Sequence, residues 1–134
     1  MILLDTTACI AALNGRPYLV GERIAAALAH RRRVSVSTIG LFELRYGIAK
    51  SAQPERNERT LGAFLEPLHV LSFDAEDARV AGEIRAQLER GGSPIGPYDY
   101  LIAAQAVRHE LTLITANEKE FSRVKTLKWE NWAH

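Results

Sequence analysis

Apolar and polar positions follow two different periods along the chain, and each change of period predicts the boundary of an element. Short apolar runs predict buried strands, and longer stretches with apolar residues three or four apart predict helices. The predicted strands are Ile2–Leu4, "VSVS" at 34–37, "HVLSF" at 69–73, "LTLIT" at 111–115 and a short strand near "TLKW" at 126–129. Because parallel neighbours need helical crossovers, this order predicts an α/β sandwich around a mostly parallel sheet of four to five strands.

Six helices are predicted between these strands. They are expected over about 6–12, 20–30, 38–50, 54–68 and 74–90, and from 97 onward. Thr6 or Thr7 is the expected cap of the first helix and Thr38 that of the third, because a hydroxyl can accept from free backbone N–H groups. The segment "ANEKEF" at 116–121 is predicted as a polar turn.

The sixth predicted helix begins in "GSPIGPYDYLIAAQA" at 92–106 and carries an acid on an apolar face. If it starts at Pro97, the residues that share the face of Asp99 are Ile102, Ala103 and Ala106. The opposite face is predicted to meet solvent with Gln105, Arg108 and His109. An unpaired acid on a core-facing side is costly, so Asp99 requires a chemical explanation.

Composition restricts the class of protein. The chain has 134 residues, 47% hydrophobic and 25% charged, which predicts one soluble domain over residues 1–134. A single cysteine, Cys9, can form neither an internal disulfide nor a zinc cluster. The start "MILLDTTACIAALNG" has no basic leader, and the longest apolar run, "IAAALA", is far below the about 20 residues of a membrane helix. We therefore expect a cytoplasmic protein without membrane association.

Three acids stand where a neutral residue would be more favourable: Asp5 ends the first strand, Glu43 follows the second strand, and Asp99 lies on its apolar face. Ligand sites in parallel α/β sheets lie at the carboxyl ends of strands, so these acids and residues 115–120 are expected to share a pocket. Clustered carboxylates raise each other's pKa unless a cation binds, and Mg²⁺ or Mn²⁺ suits carboxylate and water ligands. Such an ion activates water for attack on a phosphodiester. The structural alternatives are a helix cap for Asp5, a first-turn acid for Asp99 and a solvated residue for Glu43.

Four stretches in order along nearly the whole chain carry a family resemblance. They are "LLDTT" at 3–7, "STIGLFELRYGIAKS" at 37–51 with "PERN" just after, "GSPIGPYDYLIAAQA" at 92–106, and "LTLITANEKEF" at 111–121 followed by "LKWENW" at 127–132. Together they resemble PIN-domain ribonucleases of the VapC toxin type. Each motif is weak alone, but four in the right order with the right gaps are specific.

The resemblance implies a PIN-like three-layer α/β/α sandwich and a Mg²⁺- or Mn²⁺-dependent endoribonuclease. It also implies the toxin half of a type II toxin–antitoxin pair, with a VapB-type antitoxin, an RNA substrate such as tRNA or rRNA, and a homodimer. The first three acidic positions of the family fall on Asp5, Glu43 and Asp99. The fourth falls on Glu120, with Asn117 as a polar neighbour, because an amide cannot replace the charge.

Further roles follow from the same resemblance. Asp5 and Asp99 are expected to ligate the metal, and Thr6 and Thr115 to hold waters or orient the acids. The chain departs from the motif at two positions, where relatives usually carry asparagine: Thr7 stands at one and Ala116 at the other. Neither change removes a metal-binding carboxylate, so the class stands, but both leave the fine positioning of Asp5 and the rate open.

Substrate and partner surfaces leave alternatives open. Basic residues near the expected site are either phosphate contacts or solvated side chains; they are Arg45, Lys50, Arg85 and Arg108. The apolar segments "ACIAAL", "IAAALA" and "LGAFLEPL" either build the core or form a groove for an antitoxin helix. The rival functions are a non-catalytic RNA-binding or assembly module and an aspartyl-phosphate phosphohydrolase. The latter normally needs a second acid two residues after its nucleophile, where Thr7 stands.

Overall fold

A single parallel sheet of five strands forms the centre of the computed structural model, which describes residues 1–134. The strands are β1 (Ile2–Leu4), β2 (Val34–Ser37), β3 (His69–Leu71), β4 (Thr112–Ile114) and β5 (Trp129–Glu130). Their order is β3-β2-β1-β4-β5, and all four neighbouring pairs run parallel. All predicted strands exist, and the sheet is entirely rather than mostly parallel.

Helices cover both faces of this sheet. They are α1 (Thr6–Asn14), α2 (Tyr18–Ala29), α3 (Thr38–Ala49), α4 (Pro54–Leu65), α5 (Ala75–Arg90), α6 (Pro97–Arg108) and α7 (Glu118–Phe121). The side chains of β1 alternate between two cores: Leu3 packs with residues of α5 and α6, whereas Ile2 and Leu4 pack with residues of α1 to α4. The predicted three-layer α/β/α sandwich is confirmed.

The helix caps lie one residue earlier than predicted for α1 and α3. Asp5, not Thr6 or Thr7, caps α1, since its side chain accepts from the backbone N–H of Ala8. Ser37 caps α3 by accepting from the N–H of Ile39. Asp5 directly follows β1 and Ser37 is the last residue of β2. Both keep an extended backbone, so their side-chain oxygens reach the first turn of the helix that follows.

Helix α6 is buried on more of its surface than predicted. Ile102, Ala103 and Ala106 lie in the core as expected, but Gln105, predicted to meet solvent, is fully buried. The reason is that α5 packs against α6, and the Gln105 side-chain amide also lies 3.5 Å from the carbonyl oxygen of Leu71 at the end of β3. The Gln105 side-chain amide donates to Asp77 Oδ2 at 3.3 Å, and its Oε1 has no partner.

Two further features complete the fold. The predicted polar turn at 116–121 contains a helix of one turn, α7, whose four residues are too few for a periodic pattern to reveal. No helix is long and apolar enough to cross a membrane.

Candidate active site

Three acids lie after the carboxyl ends of adjacent strands, and a fourth lies at the start of a helix. Asp5 directly follows β1, Glu43 is in α3 after β2, and Glu120 is in α7 after β4. Asp99 is in the first turn of α6. Because β2, β1 and β4 are neighbours and parallel, their carboxyl ends form one edge of the sheet. Hydrogen bonds link the four acids into one cluster, the acidic site. The Asn117 side-chain amide contacts both Asp99 Oδ2, at 3.5 Å, and Glu120 Oε2, Thr115 joins the same segment to Asp5, and Thr6, next to Asp5, donates to Glu43.

Asp5 is held by three hydrogen-bond donors. Its Oδ1 accepts from Ala8 N–H at 2.9 Å and from the Thr7 hydroxyl at 2.7 Å, and its Oδ2 accepts from the Thr115 hydroxyl at 2.5 Å. Only 3% of Asp5 is exposed. Burial raises the pKa of Asp5, the three donors lower it, and the negative charge of Glu43 adds to the rise. Asp5 is therefore both the cap of α1 and a buried acid beside another acid.

Asp99 and Glu120 form a coupled pair. Burial raises the pKa of Asp99 to about 7, and its hydrogen bond with Glu120 and the charges of Glu120, Asp5 and Glu43 act in the same direction. The same hydrogen bond lowers the pKa of Glu120, as does the side-chain amide of Asn117, which donates to Glu120 Oε2 at 2.7 Å. The pKa values of the two carboxyls are therefore shifted in opposite directions, with Asp99 the one that retains a proton more readily.

Gly96 borders this pair and has no room for a side chain. A Cβ placed on it would lie 3.1 Å from Asp99 Oδ2 and 3.8 Å from Glu120 Oε2. The backbone N–H of Gly96 also hydrogen-bonds Glu120 and lowers its pKa. The φ of Gly96 is −61°, which any residue adopts, so the glycine is required by space and not by backbone conformation. Gly96 was not among the predicted site residues, because the close contact depends on atoms from α6 and α7 that no sequence pattern brings together.

Glu43 is placed beside the β1 end by a direct contact. The Thr6 hydroxyl donates to Glu43 Oε1 at 2.7 Å, so Thr6 orients an acid, as the resemblance implied. A groove between α1, α3 and α4 reaches Glu43; its apolar lining residues are Ile10, Leu13, Leu44, Ile48 and Leu61. A second groove lies between α2 and α4, with Ile24, Leu28, Phe64 and Leu68 in its lining. The three apolar segments predicted as core or antitoxin groove therefore contribute side chains both to the core and to the lining of these grooves.

None of the four acids forms an ion pair with a lysine or arginine. The positive charge of Arg123 lowers the pKa of Glu120. The Arg123 guanidinium also donates to Pro94 O at 2.6 Å and thereby joins the end of α7 to the loop before α6. No group of three or more His, Cys, Asp or Glu side chains closes into a protein cage for a metal. The donor set fits a hard divalent cation that is bound by one or two carboxylates and keeps several waters.

The predicted basic contacts are mostly paired with acids. Arg45 pairs with Glu58, Arg85 pairs with Glu89 at 3.0 Å, and Arg108 pairs with Asp77 at 2.8 Å. These contacts agree with the alternative of a solvated side chain for Arg45 and Arg85.

Lys50 differs from the three arginines, because it forms no salt bridge with an acid and instead lies over an aromatic ring. Its ammonium lies 4.5 Å from the centre of the Tyr46 ring. Tyr46, Phe42 and Tyr98 form an exposed aromatic patch next to Glu43, in which the rings of Phe42 and Tyr98 meet edge to face at 5.6 Å. The sequence analysis did not single out this patch.

Comparison with known proteins agrees with the fold. A family model described as the PIN domain matches residues 2–127. The tRNA(fMet)-specific endonuclease VapC of Salmonella typhimurium is 39% identical over 130 residues, 97% of this chain and 96% of the relative. Ribonuclease VapC2 of Rickettsia felis is also 39% identical, with the same shares covered.

Solved structures show the same relationship. A chain of VapBC2 from Rickettsia felis bound to a DNA fragment from its promoter superposes with a TM-score of 0.91 at 38% identity, covering 98% of this chain and 99% of that one. A chain of DNA-bound VapBC from Salmonella typhimurium gives a TM-score of 0.90 at 39% identity, with the same shares covered. The chain therefore belongs to the PIN-domain family, in the branch whose members are named VapC ribonucleases.

Proposed function

We propose that this chain is a metal-dependent endoribonuclease and acts in the cytoplasm as the toxin of a VapBC-type toxin–antitoxin pair. The observation that carries the proposal is the acidic site, where four carboxylates lie together without an ion-pair partner. An uncompensated cluster of this kind is costly for the fold, and a bound cation would remove the cost. Relatives 39% identical over nearly the whole chain are named as ribonucleases, which supports RNA as the substrate.

Asp5 and Asp99 are the proposed ligands of Mg²⁺ or Mn²⁺, and Glu43 and Glu120 complete the acidic shell. When bound, such an ion supplies an acidified water and neutralises charge on the phosphoryl group. Before that, the chain's own residues prepare the site: Thr115 and Ala8 N–H hold both oxygens of Asp5 in place. Because the pKa of Asp99 is raised to about 7, a proton on Asp99 must leave before this carboxyl can act as a ligand. Hydrolysis would leave a 3′-hydroxyl and a 5′-phosphate.

The proposal is tested by cleavage of RNA with the purified chain. The first RNA to test is tRNA(fMet), because the Salmonella relative bears that name. We expect products with a 5′-phosphate in Mg²⁺ or Mn²⁺ and none in EDTA. Asp5→Asn and Asp99→Asn should abolish cleavage, whereas Glu76→Gln, which removes an exposed acid of α5 that pairs with Arg79, should not change it. RNA binding without metal-dependent products would instead identify a non-catalytic RNA-binding module.

We place a VapB-type antitoxin in the apolar groove between α1, α3 and α4. This groove leads to Glu43, so a segment lying in it reaches the acidic site and blocks access. Solved relatives are VapBC complexes, which supports a partner of this kind. Leu61 is buried at the base of the groove, so Ile48, which is only partly buried, is the better position to test. Ile48→Glu should weaken capture of a co-expressed antitoxin while RNA cleavage remains.

A homodimer is the proposed assembly of the toxin, with the aromatic patch as its contact surface. Phe42, Tyr46 and Tyr98 are 54%, 60% and 44% exposed, and clustered exposed rings are typical of a protein–protein contact. Phe42→Glu should convert a dimer to a monomer in light scattering. If the variant keeps the mass of the wild type but binds RNA less tightly, the patch contacts RNA instead.

A further inference from the structure

Thr7 connects the end of β1, which carries Asp5, to the segment after β4, which leads to Glu120 in α7. Its hydroxyl donates to Asp5 Oδ1 at 2.7 Å and accepts from the backbone N–H of Ala116 at 3.0 Å. Both directions are fixed, because an ionised carboxylate can only accept and a backbone N–H can only donate. A single hydroxyl therefore joins the end of β1 to the segment that follows β4. Thr7 and Ala116 are also the two positions where the chain departs from the motif it resembles, and they contact each other.

Thr115 makes the same pair of contacts on the other side of Asp5. Its hydroxyl donates to Asp5 Oδ2 and accepts from the backbone N–H of Asn117 at 2.9 Å. Each oxygen of Asp5 is thus tied to the 115–117 segment by one threonine hydroxyl. Asn117 in turn donates to Glu120, so the chain of hydrogen bonds runs from Asp5 to the acid in α7.

We propose that Thr7 is a positioning residue, whose hydroxyl fixes Asp5 relative to the 115–117 segment and thereby sets the affinity of the acidic site for a divalent cation. The inference rests on the proposed metal-dependent function. Thr7 is solvent-exposed, so its packing contributes little to the fold, and the hydroxyl is the part that makes specific contacts. Partners that orient a metal-binding carboxylate typically change metal affinity or activity by about 10- to 100-fold when they are lost.

Two substitutions separate the hydroxyl from the shape of the side chain. Thr7→Val keeps the branched shape and removes the hydroxyl, whereas Thr7→Ser keeps the hydroxyl. Thr60→Val is the matched control, since Thr60 is also exposed on a helix and its hydroxyl bonds only the backbone of its own helix, at Arg56 O. Mn²⁺ binding is measured from the EPR signal of free Mn²⁺, and protection of the Ala116 amide is measured by NMR hydrogen exchange without metal.

We expect Thr7→Val to weaken Mn²⁺ binding about tenfold and to speed exchange of the Ala116 amide, while Thr7→Ser stays near wild type in both. Thr60→Val should change neither. Unchanged protection of the Ala116 amide in Thr7→Val would overturn the bridge whether or not metal binds. Wild-type Mn²⁺ affinity in Thr7→Val, or equal losses in the Val and Ser variants, would overturn the positioning role. If the wild type itself binds no Mn²⁺, the proposed function fails, and the exchange rates still decide whether the bridge exists.

Discussion

The substitution Gly96→Ala should lower activity without lowering stability. The added Cβ would lie 3.1 Å from Asp99 Oδ2, whereas ordinary contacts begin near 3.4 Å, so the carboxylate must move by about 0.3 Å. If a displacement of 1 Å costs about 100-fold in rate, 0.3 Å costs about fourfold. Glu120, at 3.8 Å from the same Cβ, is in ordinary van der Waals contact and need not move.

The same substitution, Gly96→Ala, should not lower the free energy of unfolding. Gly96 has φ −61° and ψ 148°, which alanine adopts without strain. Replacing glycine at such a position stabilises a protein by about 0.4–1 kcal/mol, since the unfolded chain loses freedom. The contact with Asp99 offsets part of this gain, so the free energy of unfolding should stay unchanged or rise by less than about 1 kcal/mol.

The assay compares initial rates of RNA cleavage over a Mn²⁺ titration with urea denaturation of the same protein. Gly82→Ala is the matched control, because Gly82 lies in the middle of α5 and nothing is within 4 Å of its added Cβ. It should raise stability by up to about 1 kcal/mol through helix propensity and leave cleavage unchanged. A Gly96→Ala variant that cleaves as fast as wild type at every Mn²⁺ concentration would refute the spatial argument. A variant that loses both stability and activity would show that Gly96 serves the fold.

Two other predictions concern the protonation of Asp99 and the buried polar cluster that Asp77 forms with Gln105 and Arg108. The pKa of Asp99 is raised to about 7, so its carboxyl is protonated below that pH and ionised above it. Cleavage at low Mn²⁺ should therefore fall as the pH drops through about 7. The midpoint of this pH dependence should move to lower pH when Mn²⁺ is raised, because metal and proton compete for the carboxylate. A midpoint that does not move with Mn²⁺ would contradict the competition. Asp77→Ala should destabilise the chain by about 2–3 kcal/mol in urea denaturation, because Asp77 is fully buried, completes the capping box of α5 and pairs with Arg108. The same variant should leave Mn²⁺ affinity unchanged. Loss of Mn²⁺ affinity in this variant would show that the cluster communicates with the acidic site.

The sheet and the acids were predictable because their signals are local or follow one rule of topology. The run Ile2–Leu4 shows a buried strand, and the rule that sites lie at the carboxyl ends of parallel strands directs attention to Asp5 and Glu120. Gln105 was not predictable in this way. Its exposure depends on α5 lying over α6, which is a tertiary contact that the period of α6 alone does not encode.

Predictions for individual contacts failed for a related reason. A threonine before an apolar stretch is a good helix cap by composition, but the side chain that caps α1 is decided by which residue keeps an extended backbone, and that is Asp5. The role of Gly96 was hidden as well, because a space requirement depends on atoms that come from α6 and α7. The sequence shows which residues can act, whereas distances between loops decide which of them meet.

For Asp5, capping a helix and serving an acidic site are one arrangement and not two alternatives. A carboxylate offers about four lone-pair sites, and Asp5 uses three of them on Ala8 N–H, Thr7 and Thr115. The bond that caps α1 therefore also fixes the plane of the carboxylate and leaves about one lone pair for another ligand. Because burial raises the pKa of Asp5 in spite of these donors, the fold holds the group in a fixed orientation but leaves its charge only partly stabilised. The proposed cation would supply the charge that such a group lacks, and helix capping holds the group in one orientation for it.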